Sequence, residues 1–355
     1  MKIGIPVEIK PFEKRVALLP AAVAELTAMN HEVFLQTGAG AGSGYGDMAY
    51  VAAGAKIVTD AETLYAESKL IIKVKEPVAA EYDFLRQDHL VFSFLHLAAN
   101  PGLASKLQNI GLTAIAFETL MVDNALPLLA PMSDVAGRIA VQTGANLLFA
   151  NHGGKGLLLG GLPAAERGNV VIIGAGNAGG SAAIVAQSIG ALVTVFDFKR
   201  QRQQQMRQLG ENVSGLYPYP DAVAAAVEHA DLVIGAVLVP GARAPHVVTT
   251  DMVKSMQAGS VIVDIAVDQG GCVETTRPTD YSSPTYMMEK VLHFAVTNMP
   301  AAVPRSASQA LSAELLPYVK LLLKEGVTQD SVISSGVNVE KGRIVHPVVA
   351  RSLRN

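Results

Sequence analysis

Short runs of Val, Ile, Leu and Phe alternate along this chain with Ala- and Leu-rich stretches whose apolar positions recur at helical spacing. The first series reads MKIGIPV (1–7) then LPAAVAELTAM (19–29), HEVFLQT (31–37), AKIVT (55–59) then AETLYAES (61–68), and LIIKVK (70–75). It continues with HLVFSFLH (89–96) then GLASKLQNIG (102–111), and TAIAFET (113–119). Strands alternating with helices predict a parallel sheet covered by helices.

After the turn signal MVDNALP (121–127) the pattern changes to one long helical stretch, DVAGRIAVQTGANLLFA (134–150), with Ser133 placed to cap it. A glycine-rich loop, HGGKGLLLGG (152–161), then opens a second series: NVVIIGAG, LVTVFD, DLVIGAV, SVIVDIA and HFAVTN (293–298). Its continuous apolar strands predict burial on both faces. The tail holds another long helical pattern, SQALSAELLPYVKLLLKEG (308–326), in which Pro317 predicts a kink or break. The expected fold class is α/β, two Rossmann-like domains with parallel sheets and flanking helices.

Composition narrows the function. The 355 residues match about two domains at roughly 150 residues each. Half are hydrophobic and 17% are charged, which suits a globular chain rather than a disordered one. A net charge of -3 gives no basic field for nucleic acid. One cysteine, Cys272, excludes an internal disulfide framework and a multi-thiolate metal site. No HExxH, CxxC, EF-hand or GxSxG pattern occurs, so neither a metal nor a hydrolase elbow is expected. The N-terminus reaches charged residues too soon for a secretory signal, and no run of about 20 uncharged apolar residues occurs. A cytoplasmic protein without membrane spans is expected.

Gly174, Gly176 and Gly179 form GxGxxG directly after the strand NVVII, and the next strand ends at Asp197, eighteen residues beyond Gly179. That spacing is the dinucleotide fingerprint: a tight turn at Gly174, close approach to the pyrophosphate at Gly176, helix-on-strand packing at Gly179, and a carboxylate for the ribose hydroxyls. Asp197 favours NAD over NADP, a preference slightly weakened by Lys199, Arg200 and Arg202.

Other reactive candidates stand at strand ends. His96 closes an apolar strand, where a histidine more often serves the core than a ligand. Lys73 and Lys75 share one strand face, usually a solvated arrangement, with Lys75 the better placed for a ligand. Arg15 sits in the polar loop PFEKR, where it could clamp a carboxylate, although a surface arginine is commoner. Asp264 and Asp268 bracket the end of SVIVDIAVDQGG, with Asp268 beside the turn Gln269, Gly270, Gly271 and more accessible.

The segments GIPVEIKPFEKRVALLP, GAGAGSGY, KVKEP, FLHLA, LAPMSDVAGR, VIIGAGNAGG, GAVLVPGARAP, VDIAVDQGGC and VTNMPAAVP occur in order over essentially the full length. In them the chain resembles the family shared by alanine dehydrogenase and the NAD-binding subunit of proton-translocating transhydrogenase. The resemblance implies that Arg15 and Lys75 bind the substrate's carboxylate and carbonyl oxygen, that His96 is the acid/base, and that Asp268 is the second catalytic residue. It also implies cofactor contacts at Ser133, Asn177, Ala178, Asp197, Arg202, Val237, Leu238, Ile265, Ala266, Val267, Asp268, Arg277, Val296, Thr297, Asn298 and Met299. Pro218 departs from the pattern, standing where a serine can contact the adenosine end in relatives.

By the same resemblance, a substrate domain spans 1–127 and is completed by 304–355. An NAD domain spans 128–303, and the active site lies in the interdomain cleft. The implied reaction is reversible oxidative deamination of L-alanine to pyruvate and ammonia, in a homo-oligomer that the family suggests is a hexamer. Two rivals remain, a transhydrogenase subunit that handles NAD(H), and an opine-type reductase joining pyruvate to an amino acid amine. KVKEP and FLHLA, with Lys75 and His96, favour the dehydrogenase over the subunit.

Overall fold

The computed structural model describes residues 1–237, 244–327 and 332–354. The chain divides into two compact units, one built from Met1–Met132 and the segment from Ala301 onward, the other from Ser133–Pro300.

The first unit is an eight-stranded sheet. From edge to edge its strands are Arg343–Ile344, Val337–Glu340, Thr113–Ala116, Leu90–Ser93, Leu70–Ile72, Lys2–Ile5, Glu32–Gln36 and Lys56–Val58. The last six are mutually parallel. Alternate side chains feed two apolar layers. Ile3, Ile5, Leu70, Ile72, Phe92 and Ile115 pack with Val23 and Leu26 of helix Pro20–Ala28 and with Leu311, Leu315 and Val319 of helix Pro304–Glu325. On the other face Ile71, Val91 and Ala114 meet Leu64, Tyr65, Leu103, Leu107 and Val349. Each fully buried aliphatic side chain here is worth about 2 kcal/mol.

Two expectations need correction. Pro317 neither breaks nor ends its helix, which runs unbroken over Pro304–Glu325. Pro317 and Ala313 both lie on the exposed face, so the carbonyl deprived of its N–H donor turns to water. Ser133 is not a cap: the helix is Ala130–Leu147, and the chain already turns at Leu126, whose carbonyl accepts the Leu129 and Ala130 N–H groups at 3.2 and 3.0 Å. Pro131 fits the first turn because its missing N–H would be unpaired there anyway.

The hairpin Val337–Glu340 and Arg343–Ile344, which the sequence pattern did not announce, adds the tail antiparallel to Thr113–Ala116. Lys341 and Gly342 take φ of +45° and +77°, the doubly left-handed turn that matches strand twist.

The second unit is a seven-stranded sheet in the order Thr285–Met288, Val291–Phe294, Val261–Asp264, Leu232–Gly235, Asn169–Ile173, Leu192–Phe196, Val213–Leu216. All are parallel except the edge strand Thr285–Met288. The chain winds outward from Asn169–Ile173 in one direction, then returns to Leu232–Gly235 and winds outward in the other. The reversal leaves a crevice at the carboxyl ends of these two central strands. The strand expected at 293–298 occupies Val291–Phe294, and Val296 to Met299 follow it. It is reached through a turn with φ of +52° at Glu289 and +63° at Lys290, which carries none of the usual Asn-Gly signal. Among the described residues no helix is long and apolar enough to cross a membrane.

Candidate functional site

In the first unit four neighbouring strands release the chain at their carboxyl ends into segments that carry Glu118, His96, Lys75 and Arg15. Arg15 is only 3% exposed, and a buried guanidinium must be paired. Glu13 pairs it through both carboxylate oxygens, at 2.7 Å to Nε and 2.5 Å to Nη2, while Nη1 donates to the Met132 sulfur at 3.1 Å. Held at Nε and Nη2 by one carboxylate and at Nη1 by a sulfur, the planar guanidinium is fixed in one orientation.

Lys73 corrects the solvated reading of the lysine pair. It is 1% exposed, ion-paired with Glu81 and 3.8 Å from Glu8, and Tyr65 donates its hydroxyl to the same Glu81 at 2.8 Å. Lys75 is half-buried, and its ammonium is held below the usual lysine range by burial and by the Arg15 charge. Its main chain is fixed by Glu8, which accepts the Val74 N–H at 2.5 Å and the Lys75 N–H at 3.3 Å. Burial pushes the Glu8 carboxyl up to about 7, Lys73 opposing and the nearby Glu13 and Glu81 reinforcing.

His96 is half-buried, its ring stacked on Phe94 with centroids 5.9 Å apart. Its backbone is left-handed, φ +49° and ψ +37°. Sequence reasoning missed Glu8, Glu13, Glu118 and Met132. Glu8, Glu13 and Met132 lie in the segments that carry the resemblance and Glu118 lies outside them, yet nothing local distinguishes any of the four from surface carboxylates or core methionine.

In the second unit the glycine turn has three different steric demands. At Gly174, φ is +98° and an added Cβ would lie 2.7 Å from the Ala236 carbonyl oxygen. At Gly179 it would lie 1.7 Å from the Gly174 oxygen. At Gly176 it would meet nothing nearer than an Arg202 nitrogen at 3.9 Å, so that space is open for a ligand. Gly179→Ala should therefore destabilise the protein by about 3 kcal/mol in urea unfolding. Gly176→Ala should fold normally and weaken NADH binding; equal stability of the two variants would refute the packing assignment.

Asn177 and Ala178 form the first turn of helix Asn177–Ser188, whose N-terminal N–H groups offer an anion site beside that open space. Helix Ala130–Leu147 packs against it so tightly that a Cβ on Gly137 would lie 2.0 Å from the Ala178 oxygen, and Ser181 donates to Asp134 at 2.9 Å. Ser133 lies on that same helix.

The Asp197 carboxylate is pre-set by the Ala175 and Lys199 N–H groups, each at 2.8 Å, and by Arg202 at 3.3 Å. Lys199 and Arg200 are exposed. Val237 follows strand Leu232–Gly235, and Leu238 lies outside the described residues.

Asp264 and Asp268 separate by environment. Asp264 is wholly buried and accepts from Ala266, Cys272 and Val273 N–H groups and from the Thr276 hydroxyl at 2.7 Å; burial nevertheless raises its pKa. It ties the loop to its strand end. Asp268 is exposed, on the short turn Val267–Gln269, with Ile265 and Ala266 leading to it from the strand. Arg277 stacks on Tyr286, 4.3 Å from the ring centre, toward the sheet's far edge. Val296, Thr297, Asn298 and Met299 follow strand Val291–Phe294, and the Met299 carbonyl accepts from Tyr281 at 2.8 Å. Among the described residues no group of three or more His, Cys, Asp or Glu could hold a metal ion.

Two family models match, the alanine dehydrogenase/PNT N-terminal domain over residues 4–136 and the alanine dehydrogenase/PNT C-terminal domain over 140–347. Alanine dehydrogenase of Mycobacterium tuberculosis is 46% identical over 99% of this chain and 97% of its own. A solved structure of L-alanine dehydrogenase superposes with a TM-score of 0.95 at 47% identity, covering 100% of this chain and 99% of that one. The transhydrogenase of Sinorhizobium meliloti follows with a TM-score of 0.84 and 27% identity, covering 98% and 99%.

Proposed function

The chain belongs to the alanine dehydrogenase/PNT family, and from that premise we propose that it catalyses reversible oxidative deamination of L-alanine to pyruvate and ammonia with NAD as hydride acceptor. The observation that carries this is near-full-length identity of 46% to a curated alanine dehydrogenase, against 27% to the transhydrogenase neighbour. NAD, bound over the Gly174–Gly179 turn, would take the hydride from the substrate Cα. The open space at Gly176, the helix N-terminus and the pre-set Asp197 carboxylate fit that cofactor.

The chain's own groups do the rest. Arg15, held in one orientation by Glu13, receives the substrate carboxylate, and Lys75 adds a donor for the carboxylate or carbonyl oxygen, so the small substrate is held in one pose. His96 moves protons as the imine is hydrated and the carbinolamine expels ammonia, while Asp268 orients the water or amine. We assign the enzyme to the cytoplasm as a homohexamer, which light scattering of the purified protein checks. NADH oxidation should require pyruvate and ammonium together; turnover with ornithine or lysine in place of ammonium would replace this reading by an opine-type reductase.

Asp197 should set cofactor choice, because a carboxylate bonded to ribose hydroxyls repels a 2'-phosphate. The expected kcat/KM for NAD exceeds that for NADP by more than about tenfold, or ~1.4 kcal/mol. Equal efficiencies would remove Asp197 from the ribose site.

A further inference from the structure

His96 stands in left-handed backbone, which is uncommon for any residue but glycine, so something must hold it there. The chain on either side is anchored: Leu95 and Leu97 are buried in the apolar layer that includes Leu103 and Val349, and the His96 carbonyl accepts the Ala99 N–H at 3.0 Å to open the short turn Leu97–Ala99. Anchoring of the flanks leaves the two N–H groups at the bend to be satisfied. Both point to one carboxylate. Glu118 Oε1 accepts the His96 N–H at 2.6 Å, and the Leu95 N–H is shared between Oε2 at 3.2 Å and Oε1 at 3.3 Å.

Glu118 reaches this place by sheet register. Strand Thr113–Ala116 lies beside Leu90–Ser93, the Phe117 N–H continues the pairing to the Ser93 carbonyl at 2.9 Å, and Glu118 is the next residue. The tail contributes too: His346 lies close enough to Glu118 for that charge to oppose the lowering of its pKa by burial.

We infer that Glu118 is the positioning residue of His96: its carboxylate accepts both main-chain N–H groups at the bend and thereby sets the direction of the imidazole. This rests on His96 being the acid/base of the proposed reaction. The role assigned to Glu118 is geometric. A neutral acceptor of the same length keeps the shortest of these bonds, that of Oε1 to the His96 N–H, and gives up only the Oε2 contact to the Leu95 N–H. A shortened carboxylate does not keep that bond, since it retains the charge but withdraws the oxygen by one methylene.

The test compares Glu118→Gln, Glu118→Asp and Glu118→Ala in the full chain, by steady-state NADH oxidation with pyruvate and ammonium, by NADH titration and by thermal melting. Glu118→Asp and Glu118→Ala should lower kcat by about tenfold to a hundredfold, the scale of a misplaced catalytic group. The KM for pyruvate and the NADH affinity should stay within about threefold, and Glu118→Gln, which keeps the His96 N–H bond, should retain more of kcat than Glu118→Asp. Wild-type kcat in folded Glu118→Asp overturns the inference, as does an order in which Asp retains more activity than Gln, because charge rather than hydrogen-bond geometry would then matter. Should Glu118→Ala fail to fold, the Asp against Gln order still decides. An inactive wild type overturns the dehydrogenase reading and this inference with it, whereas an active wild type with unaffected variants overturns the inference alone.

Discussion

His96→Ala and Asp268→Asn should each lower kcat by about a hundredfold, ~2.7 kcal/mol of transition-state stabilisation, with pyruvate and saturating ammonium. The two residues come from different units of the chain, His96 from the first and Asp268 from the second. If both serve proton transfer in the same step, the double variant should lose far less than the product of the single losses, because the second removal finds that step already crippled. Multiplicative losses would assign them to separate steps. NADH binding to His96→Ala should persist, since the glycine turn and Asp197 belong to the second unit. Wild-type kcat in His96→Ala would remove His96 from the mechanism and reopen the binding-subunit alternative.

Arg15→Lys should lower kcat/KM for pyruvate by about a hundredfold, again ~2.7 kcal/mol, despite conserving the charge. The structure supplies the reason. Both oxygens of buried Glu13 hold the guanidinium at Nε and Nη2 and fix the plane of the fork, and only a planar fork pairs a carboxylate bidentately. An ammonium at this site would have to choose between Glu13 and the substrate as a point charge. NADH affinity should change by less than about twofold, since the loss is of a substrate contact. Collapse of NADH binding in Arg15→Lys would instead place Arg15 in the cofactor site or in the fold.

The parts of this protein that were legible in the chain are those written in neighbouring residues. Alternating apolar runs mark the parallel strands, because burial on a sheet face repeats every two residues and burial of a helix stripe every three or four. The glycine fingerprint was legible for the same reason: the φ of +98° at Gly174 and the missing room at Gly179 are constraints within a six-residue turn. The short hairpins were not legible. Glu289–Lys290 turns with two non-glycine residues in left-handed backbone, and only the pairing of Thr285–Met288 with Val291–Phe294 holds them there.

Side-chain roles follow the same division. Arg15, Lys75, His96 and Asp268 are proposed from residue type at strand ends and from family resemblance. What Lys73, Glu8, Glu13, Glu118 and Asp264 do could not be read in that way. Lys73 looks solvated until Glu8 and Glu81 are brought against it, and Asp264 looks reactive until four donors from residues 266 to 276 close around it. The sequence by itself determined the order of the parallel strands and their helices, the two sheets and the glycine turn, since these depend on periodicity and backbone freedom within short stretches. Only the tertiary structure decided which buried charges are paired and which acids hold Arg15, Lys75 and His96 in place, because the meaning of a carboxylate or an ammonium lies in partners that the chain brings together from distant positions.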